Sequence, residues 1–377
     1  MSHPSSVMMT QDSGEAPAGL ETAIARMMSS GHIPGLSVAV VNRERLLFSG
    51  GYGLEDLASR TPATSLTSYL WFSMSKLVTA TAAHRLADEG RLDLDAPASE
   101  YLAALRAPGP VQPTVRNLLD HTAGLANPLP LRWVRAAETP APDPAALLKH
   151  LLERRRAFNH PVGAAARYSN VGYLAAGQII AIAAGMPFTS YVQRAVLEPT
   201  GMHSTGFDYA HGATAATGYV RVPRLAQPAL RRMLPDGIAG DRHGQHLSLN
   251  RFLVNGAAYG GLVGDVLDVA EFLRLHLNDG TLNGHRVLSA DSARSMRVVD
   301  RPGKPFDHGQ GWFRESRRRT RNAGDPRRVE HYGAGAGFWN VARLHPDKGI
   351  AIALMTNSTT RPALEPTLTL LASAAYR

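Results

Sequence analysis

Strand-like patterns occur at the two ends of this chain, and a long helical stretch lies between them. Near the start, Leu36–Val41 reads as a buried strand rich in valine. Glu44–Gly50 follows after a short turn, so the two read as a hairpin. Near the end, Gly337–Leu344 and Ile350–Asn357 make a second pair, joined by the turn sequence His345-Pro346-Asp347-Lys348-Gly349. Phe306–Phe313, Val329–Tyr332 and the short stretch Thr217–Arg221 are further strand candidates. From about residue 98 to 200 continuous strand patterns are rare. Val115–Leu119, Ala145–Arg155, Asn170–Ala184 and Phe188–Val196 instead read as helices between Pro-rich breaks.

Strands at both ends with helices between them argue for an α+β layer carrying a helical insertion. The expected fold class is α/β (α+β): an antiparallel sheet flanked by helices, with an inserted all-helical domain. Residues 1–15 read as a flexible tail, 16–80 and 205–377 as one discontinuous sheet domain, and 81–204 as the helical domain. Leu20, Ile24, Met27 and Met28 recur at helical spacing in a first helix, and residues 362–376 read as a closing one. Val266–Asn278 is a helix with Asp265 as its cap and Gly280 as its terminator. A chain of 377 residues is long enough to bury a self-sufficient core.

Composition removes several chemistries. The chain has no cysteine, which excludes disulfides, thiolate nucleophiles and cysteine-ligated metals. His243 and His246 lie three apart in a Gly-rich polar loop without an obvious third ligand, and read as surface residues. No metal or cofactor is expected. The net charge of +9 comes from 40 Lys plus Arg against 31 Asp plus Glu, and only Lys76, Lys149, Lys304 and Lys348 are lysines. The arginines are mostly scattered, with runs such as Arg317–Arg319 and Arg327-Arg328, and no aromatic residues interleave with them in a single-strand-binding manner. A solvated basic surface is expected, with no nucleic-acid partner. No run of 18 apolar residues exists, so no membrane span is expected. The opening Met1-Ser2-His3-Pro4 lacks a basic stretch followed by an apolar core, and a cytoplasmic location is the expectation.

Three constellations could carry chemistry. In Ser73-Met74-Ser75-Lys76, residues three apart share a helix face. A serine hydroxyl needs a base beside it, and a lysine serves as one only when burial or nearby positive charge lowers its pKa. Trp71, Phe72, Leu77 and Val78 supply apolar surroundings. Backbone N–H groups at a helix start can stabilise developing negative charge. In Tyr168-Ser169-Asn170, Tyr168 could relay a proton, and Asn170 could orient the lysine and a substrate carbonyl. In His331-Tyr332-Gly333, glycine allows close approach to a substrate, and the strand edge could supply half of an oxyanion hole. Taken singly these also read as a helix cap with a snorkelling lysine, an N-cap, and a glycine-rich bend. The glycines at 333, 335 and 337 have the wrong spacing for a dinucleotide loop, and no Gly-x-Ser-x-Gly elbow of an α/β-hydrolase occurs.

Together, in this order and separation, the three resemble the serine beta-lactamase and penicillin-binding-protein superfamily, in its class C beta-lactamase-related branch of esterases and D-aminopeptidases. Ser73-x-x-Lys76, Tyr168-Ser169-Asn170 and His331-Tyr332-Gly333 match its three motifs, the last in a His-x-Gly form where lactamases carry Lys-Thr-Gly. Ile33-Pro34-Gly35, Gly51-Tyr52-Gly53, Leu118–Leu125, Pro199-Thr200-Gly201-Met202, Gly260-Gly261-Leu262 and Met355-Thr356-Asn357 extend the likeness.

The resemblance implies a helical domain inserted into a sheet domain, with the site in the cleft between them. It implies a catalytic Ser73, Lys76 and Tyr168, with support from Asn170, His331 and Gly333. It also implies an oxyanion hole from the backbone N–H groups of Ser73 and Ala334. Trp71, Tyr332, Phe338 and Trp339 are expected pocket walls, with core packing as the alternative. The expected activity is hydrolysis of small-molecule esters or amides through an acyl-enzyme. A carboxylesterase leads, with beta-lactamase, D-amino-acid amidase, acyltransferase and inert homologue as alternatives. A histidine at 331 lacks the fixed charge of the lactamase lysine, which disfavours carboxylated lactams. Monomer and dimer are both open.

Overall fold

The computed structural model describes residues 9–13, 16–128, 133–153, 157–210, 212, 214–316, 327–361 and 363–374. Arg317–Arg319 and Arg155, at the end of one expected helix, lie outside them. Eight strands form the central sheet: β1 (Met9–Ser13), β2 (Gly35–Asn42), β3 (Leu46–Asp56), β4 (Phe306–His308), β5 (Phe313–Glu315), β6 (Val329–Gly335), β7 (Phe338–His345) and β8 (Ile350–Thr356). Their order is β1-β3-β2-β8-β7-β6-β5-β4, antiparallel throughout, with Thr61–Pro62 as a further strand against β3.

The two ends of the chain thus meet at the β2–β8 pair, in a register that sets Leu36 opposite Thr356 and Asn42 opposite Ile350. Asn357 secures this junction. Its side-chain oxygen accepts from Gly35 N–H at 2.7 Å, and its amide donates to the carbonyls of Leu54 and Glu55. The Met355-Thr356-Asn357 motif therefore sits at the seam between the two halves of the sheet.

The pleat sorts side chains to two faces. Leu36, Val38, Val40, Ile350, Ile352 and Leu354 meet α1 (Leu20–Gly31) on one face, where the C-terminal helix Glu365–Ala374 also packs through Leu368 and Leu371. Ala39, Val41, Ala351, Ala353 and Met355 belong to the core of the other face, with the helices that carry the site. Each such Leu, Ile or Val contributes about 1.5–3 kcal/mol when fully buried.

On that second face lie α2 (Ser75–Asp88), α3 (Val115–Leu119), α4 (Pro144–Leu152), α5 (Asn170–Ala184) and α6 (Val266–Leu277). The α6 cap is Asp265, whose side chain accepts from Asp268 N–H. The glycine-rich turn after the helix includes Gly280 with φ 88°. The α5 helix is apolar nearly all round, as a helix buried on most sides must be.

Two local expectations change. Residues 9–13, read as part of a tail, pair with β3 as an edge strand. His243 and His246 oppose each other in a hairpin and flank the Tyr219 ring, and His246 Nε2 lies 2.8 Å from the His32 carbonyl. They are thus part-buried packing residues. Among the described residues no group of three His, Asp or Glu could hold a metal, and no single helix is long and apolar enough to cross a membrane.

Candidate active site

Ser73 lies in a single 3-10 turn, Phe72–Met74, that runs directly into α2. Phe72 is in the left-handed region with φ 47°. For a bulky residue this conformation costs about 1–3 kcal/mol and persists only where packing enforces it. Here the rings of Phe252 and Phe338 stand 6.2 and 6.1 Å from the Phe72 ring. Strand β6 closes the other side through two glycines. A Cβ at Gly335 would meet the Phe72 ring at 2.0 Å, and one at Gly333 would meet the Trp71 carbonyl oxygen at 2.0 Å. Only glycine lets the strand lie this close to the serine turn.

One helical turn later, Lys76 is wholly buried. Its Nζ lies 3.1 Å from Ser73 Oγ and donates to the Tyr259 carbonyl at 2.8 Å. The rings of Tyr168, Tyr173 and Tyr259 surround it at 4.8, 5.5 and 5.5 Å. Burial drives its pKa well below the ordinary lysine value, since a charge there has lost its hydration. Tyr168 approaches from the loop before α5 and donates its hydroxyl to Ser73 Oγ at 2.6 Å. Burial raises the Tyr168 pKa and so keeps it a phenol. The serine oxygen thus sits between an amine with a depressed pKa and a neutral acid.

A cavity of about 300 Å³ opens onto Ser73. Phe72, Trp133, Leu234, Val254 and Tyr259 supply its apolar wall, and Tyr168, Asn170 and Asn127 its polar side. Ala334 and Gly335 at the end of β6, with Ala336 in the turn after it, complete it. Among the described lining residues none is Asp, Glu, Lys or Arg. Larger clefts of about 590 Å³, at Ala107–Val111 with Phe158–Val162, and about 710 Å³, around Asp56 and Asp241, contain neither Ser73 nor Lys76.

This arrangement agrees with the comparison to known families, in which a model described as "Beta-lactamase" matches residues 20–376. The chain belongs to the beta-lactamase family. It is 30% identical over 333 residues to Protein Rv1367c of Mycobacterium tuberculosis, covering 78% of this chain and 77% of that protein. Among solved structures, the octameric penicillin-binding protein homologue from Pyrococcus abyssi superimposes with a TM-score of 0.75 at 22% identity, over 95% of this chain and 76% of that one. The D-amino acid amidase from Ochrobactrum anthropi gives 0.75 at 21%, over 95% and 99%. EstCE1, described as a hydrolase with promiscuous acyltransferase activity, gives 0.73 at 20%, over 95% and 97%. At these identities the structural likeness establishes the beta-lactamase fold.

The structure brings Ser73, Lys76 and Tyr168 together but moves other residues from their expected parts. Asn170 is the first residue of α5 rather than its cap. Ser169 is the cap, its hydroxyl accepting from Gly172 N–H. The lysine is held by the Tyr259 carbonyl, while Asn170 lines the cavity and its buried Oδ1 has no hydrogen-bond partner among the described residues. His331 is buried with its Nδ1 against the Gly311 carbonyl at 2.5 Å, which places the proton on that nitrogen and leaves Nε2 an acceptor without a partner among the described residues. Burial, with the Lys76 charge next, lowers its pKa well below the usual histidine value.

The four expected pocket walls do not line the cavity. Trp71 is fully buried in the core, and Phe338 stands behind Phe72 as its support. Tyr332 is one residue out of phase with His331, Gly333 and Gly335. It therefore faces the other side of β6, where its ring packs on Trp339 at 5.0 Å and its hydroxyl donates to Glu330. Residues that the motifs did not single out take the walls instead. Of these, Tyr259 immediately precedes Gly260-Gly261-Leu262, a run already matched to the family.

Proposed function

We propose that this chain is a serine hydrolase that cleaves small neutral esters through an acyl-enzyme, a carboxylesterase with little or no turnover of beta-lactams. The observation that carries this reading is Ser73 Oγ held between Lys76 Nζ at 3.1 Å and Tyr168 Oη at 2.6 Å. In the first step the unprotonated Lys76 amine takes the Ser73 proton as Oγ attacks the ester carbonyl. The backbone N–H groups of Ser73 and Ala334 receive the oxyanion, each contributing about 3–4 kcal/mol to such a transition state. The C–O bond then breaks, the alkoxide takes a proton from Tyr168, and the Lys76 ammonium restores that proton. Water repeats the sequence in reverse on the acyl-enzyme, which returns Ser73 and releases the acid. The Lys76–Tyr168–Ser73 group shares its protons and titrates as a unit.

The lining favours neutral substrates, because no described residue of the cavity wall offers a cation to a carboxylate. The test is a panel of short and medium acyl esters, a chromogenic cephalosporin and D-amino-acid amides, run with wild type and Ser73→Ala. Ser73-dependent ester hydrolysis is expected, with fluorophosphonate labelling lost in the variant. A strong cephalosporin signal with inert esters overturns the ranking, and a folded wild type that neither labels nor turns over any substrate overturns the hydrolase.

A further inference from the structure

Tyr168 must hold its hydroxyl within a few tenths of an ångström to serve Ser73, yet its segment is an irregular loop between Pro161 and the start of α5. The contacts that fix it converge on one side chain. His121 follows the last turn of α3 and has φ 64°, a left-handed backbone that turns both its carbonyl and its ring towards residues 167–169. Its carbonyl accepts from Arg167 N–H at 2.9 Å. Its ring Nδ1 accepts from Ser169 N–H at 3.1 Å. Between those two bonds the imidazole lies against the Tyr168 ring, with centroids 4.5 Å apart and planes tilted by 36°. The His308 ring meets the imidazole edge-on at 5.0 Å and Tyr173 packs at 5.2 Å, so it has little freedom to rotate away.

We propose that His121 is a positioning residue for Tyr168, gripping the backbone on both sides of it and backing its ring. The inference rests on the hydrolase reading for its kinetic consequence, but the grip itself is a property of the fold. Accepting from a backbone N–H requires Nδ1 to be unprotonated, which assigns the ring proton to Nε2. The surroundings agree. Burial and the nearby His308, Lys76 and His331 hold the imidazole neutral, while the adjacent Asp120 carboxylate is occupied by Thr122 and Arg301.

The substitutions that separate this role from simple packing are His121→Asn and His121→Gly. Asparagine keeps an acceptor at the δ position and tolerates a left-handed backbone. Glycine tolerates the backbone and retains the carbonyl contact but removes the ring and its acceptor. His121→Gln moves the acceptor one bond further while filling the space, and serves where glycine weakens the fold.

For p-nitrophenyl acetate hydrolysis, His121→Gly and His121→Gln are expected to lose at least tenfold in kcat with KM within about threefold. His121→Asn is expected to stay within about threefold in both. Hydrogen exchange at the Ser169 amide is expected to rise at least tenfold in the first two variants and to stay near wild type in the third. Equal kcat in the Asn and Gln variants, or unchanged Ser169 exchange in the Gly and Gln variants, overturns the proposal. Should wild type show no ester turnover at all, the hydrolase reading fails, while the exchange comparison still decides the grip.

Discussion

Ser73 and Tyr168 meet at 2.6 Å between hydroxyl oxygens although 95 positions separate them in sequence. They come from different parts of the fold, one on the turn before α2 and the other on the loop before α5. Tyr168 is held as a phenol by burial, and in the proposed mechanism its part is to give a proton to the leaving group. Removing that hydroxyl leaves Ser73 and Lys76 in place. Tyr168→Phe is therefore expected to lower kcat for ester hydrolysis by about 10²–10⁴-fold with little change in KM. Esters with better leaving groups, such as p-nitrophenyl over ethyl, are expected to suffer less. A uniform loss across leaving groups would contradict the acid assignment.

In the proposed mechanism Lys76 couples catalysis to stability. Lysine in an unfolded chain titrates near 10.5, and burial holds Lys76 well below that in the fold. Between the two values the unfolded chain carries the additional proton. Stability from this group therefore rises with pH across that window, and is lost as pH falls towards the folded-state value. Lys76→Met removes this dependence and replaces a buried amine with an apolar group of similar length. The variant is expected to lose Ser73 labelling and turnover, yet to melt higher than wild type at pH 6–7. That gap narrows by pH 10. Thermal unfolding across pH checks this, and a variant that melts lower than wild type at pH 6 contradicts it.

How much of this was legible in the residues depends on what kind of atom acts. The terminal strands show as largely apolar runs because both faces of β2 and β8 are buried. The Ser73–Lys76 pair is visible because two side chains at a fixed helical offset carry it. The grip on Lys76 is not, since it comes from the Tyr259 backbone carbonyl, and every residue has one. The left-handed backbone at Phe72 is equally silent, because nothing about phenylalanine signals positive φ. The misplacement of Tyr332 and Trp339 is a matter of phase. Both belong to the face of the sheet away from the site, and a one-residue offset in a strand exchanges the two sides. Met9–Ser13 joins the sheet by backbone pairing along an edge, which a polar sequence does not advertise.

Arg343 is an arginine inside a wholly buried strand, and its partners explain why it is tolerated. Its guanidinium donates to Glu330 at 2.8 Å and to Glu365 of the C-terminal helix at 2.6 Å. The Arg343 and Glu330 side chains are 2% and 1% exposed. Breaking a pair this deep leaves a buried charge without its counterpart, a cost of about 3–5 kcal/mol. Arg343→Ala is expected to lower the urea midpoint accordingly. The double variant Arg343→Met with Glu330→Gln is expected to recover more than half of that loss, because no charge is then stranded. Equal destabilisation in the single and double variants would show that packing, not charge, is at stake.

Phe72 forms the cavity wall next to the nucleophile while held at φ 47° by Phe252, Phe338 and Gly335. Two opposed effects follow from replacing it. Losing a buried phenylalanine side chain costs about 3–5 kcal/mol, but glycine at a left-handed position recovers about 1–3 kcal/mol of backbone strain. Phe72→Gly is therefore expected to be more stable than Phe72→Ala, the reverse of the order in an ordinary helix. Both variants open the cavity beside Ser73 by at least the phenyl ring. Each further methylene that the enlarged cavity buries adds about 0.8 kcal/mol of binding. The kcat/KM ratio of octanoate to acetate p-nitrophenyl esters is thus expected to rise at least tenfold in both variants. Chain-length profiles measured beside thermal midpoints decide both points. An unchanged octanoate-to-acetate ratio in folded variants would remove Phe72 from the acyl site, and alanine more stable than glycine would remove the strain.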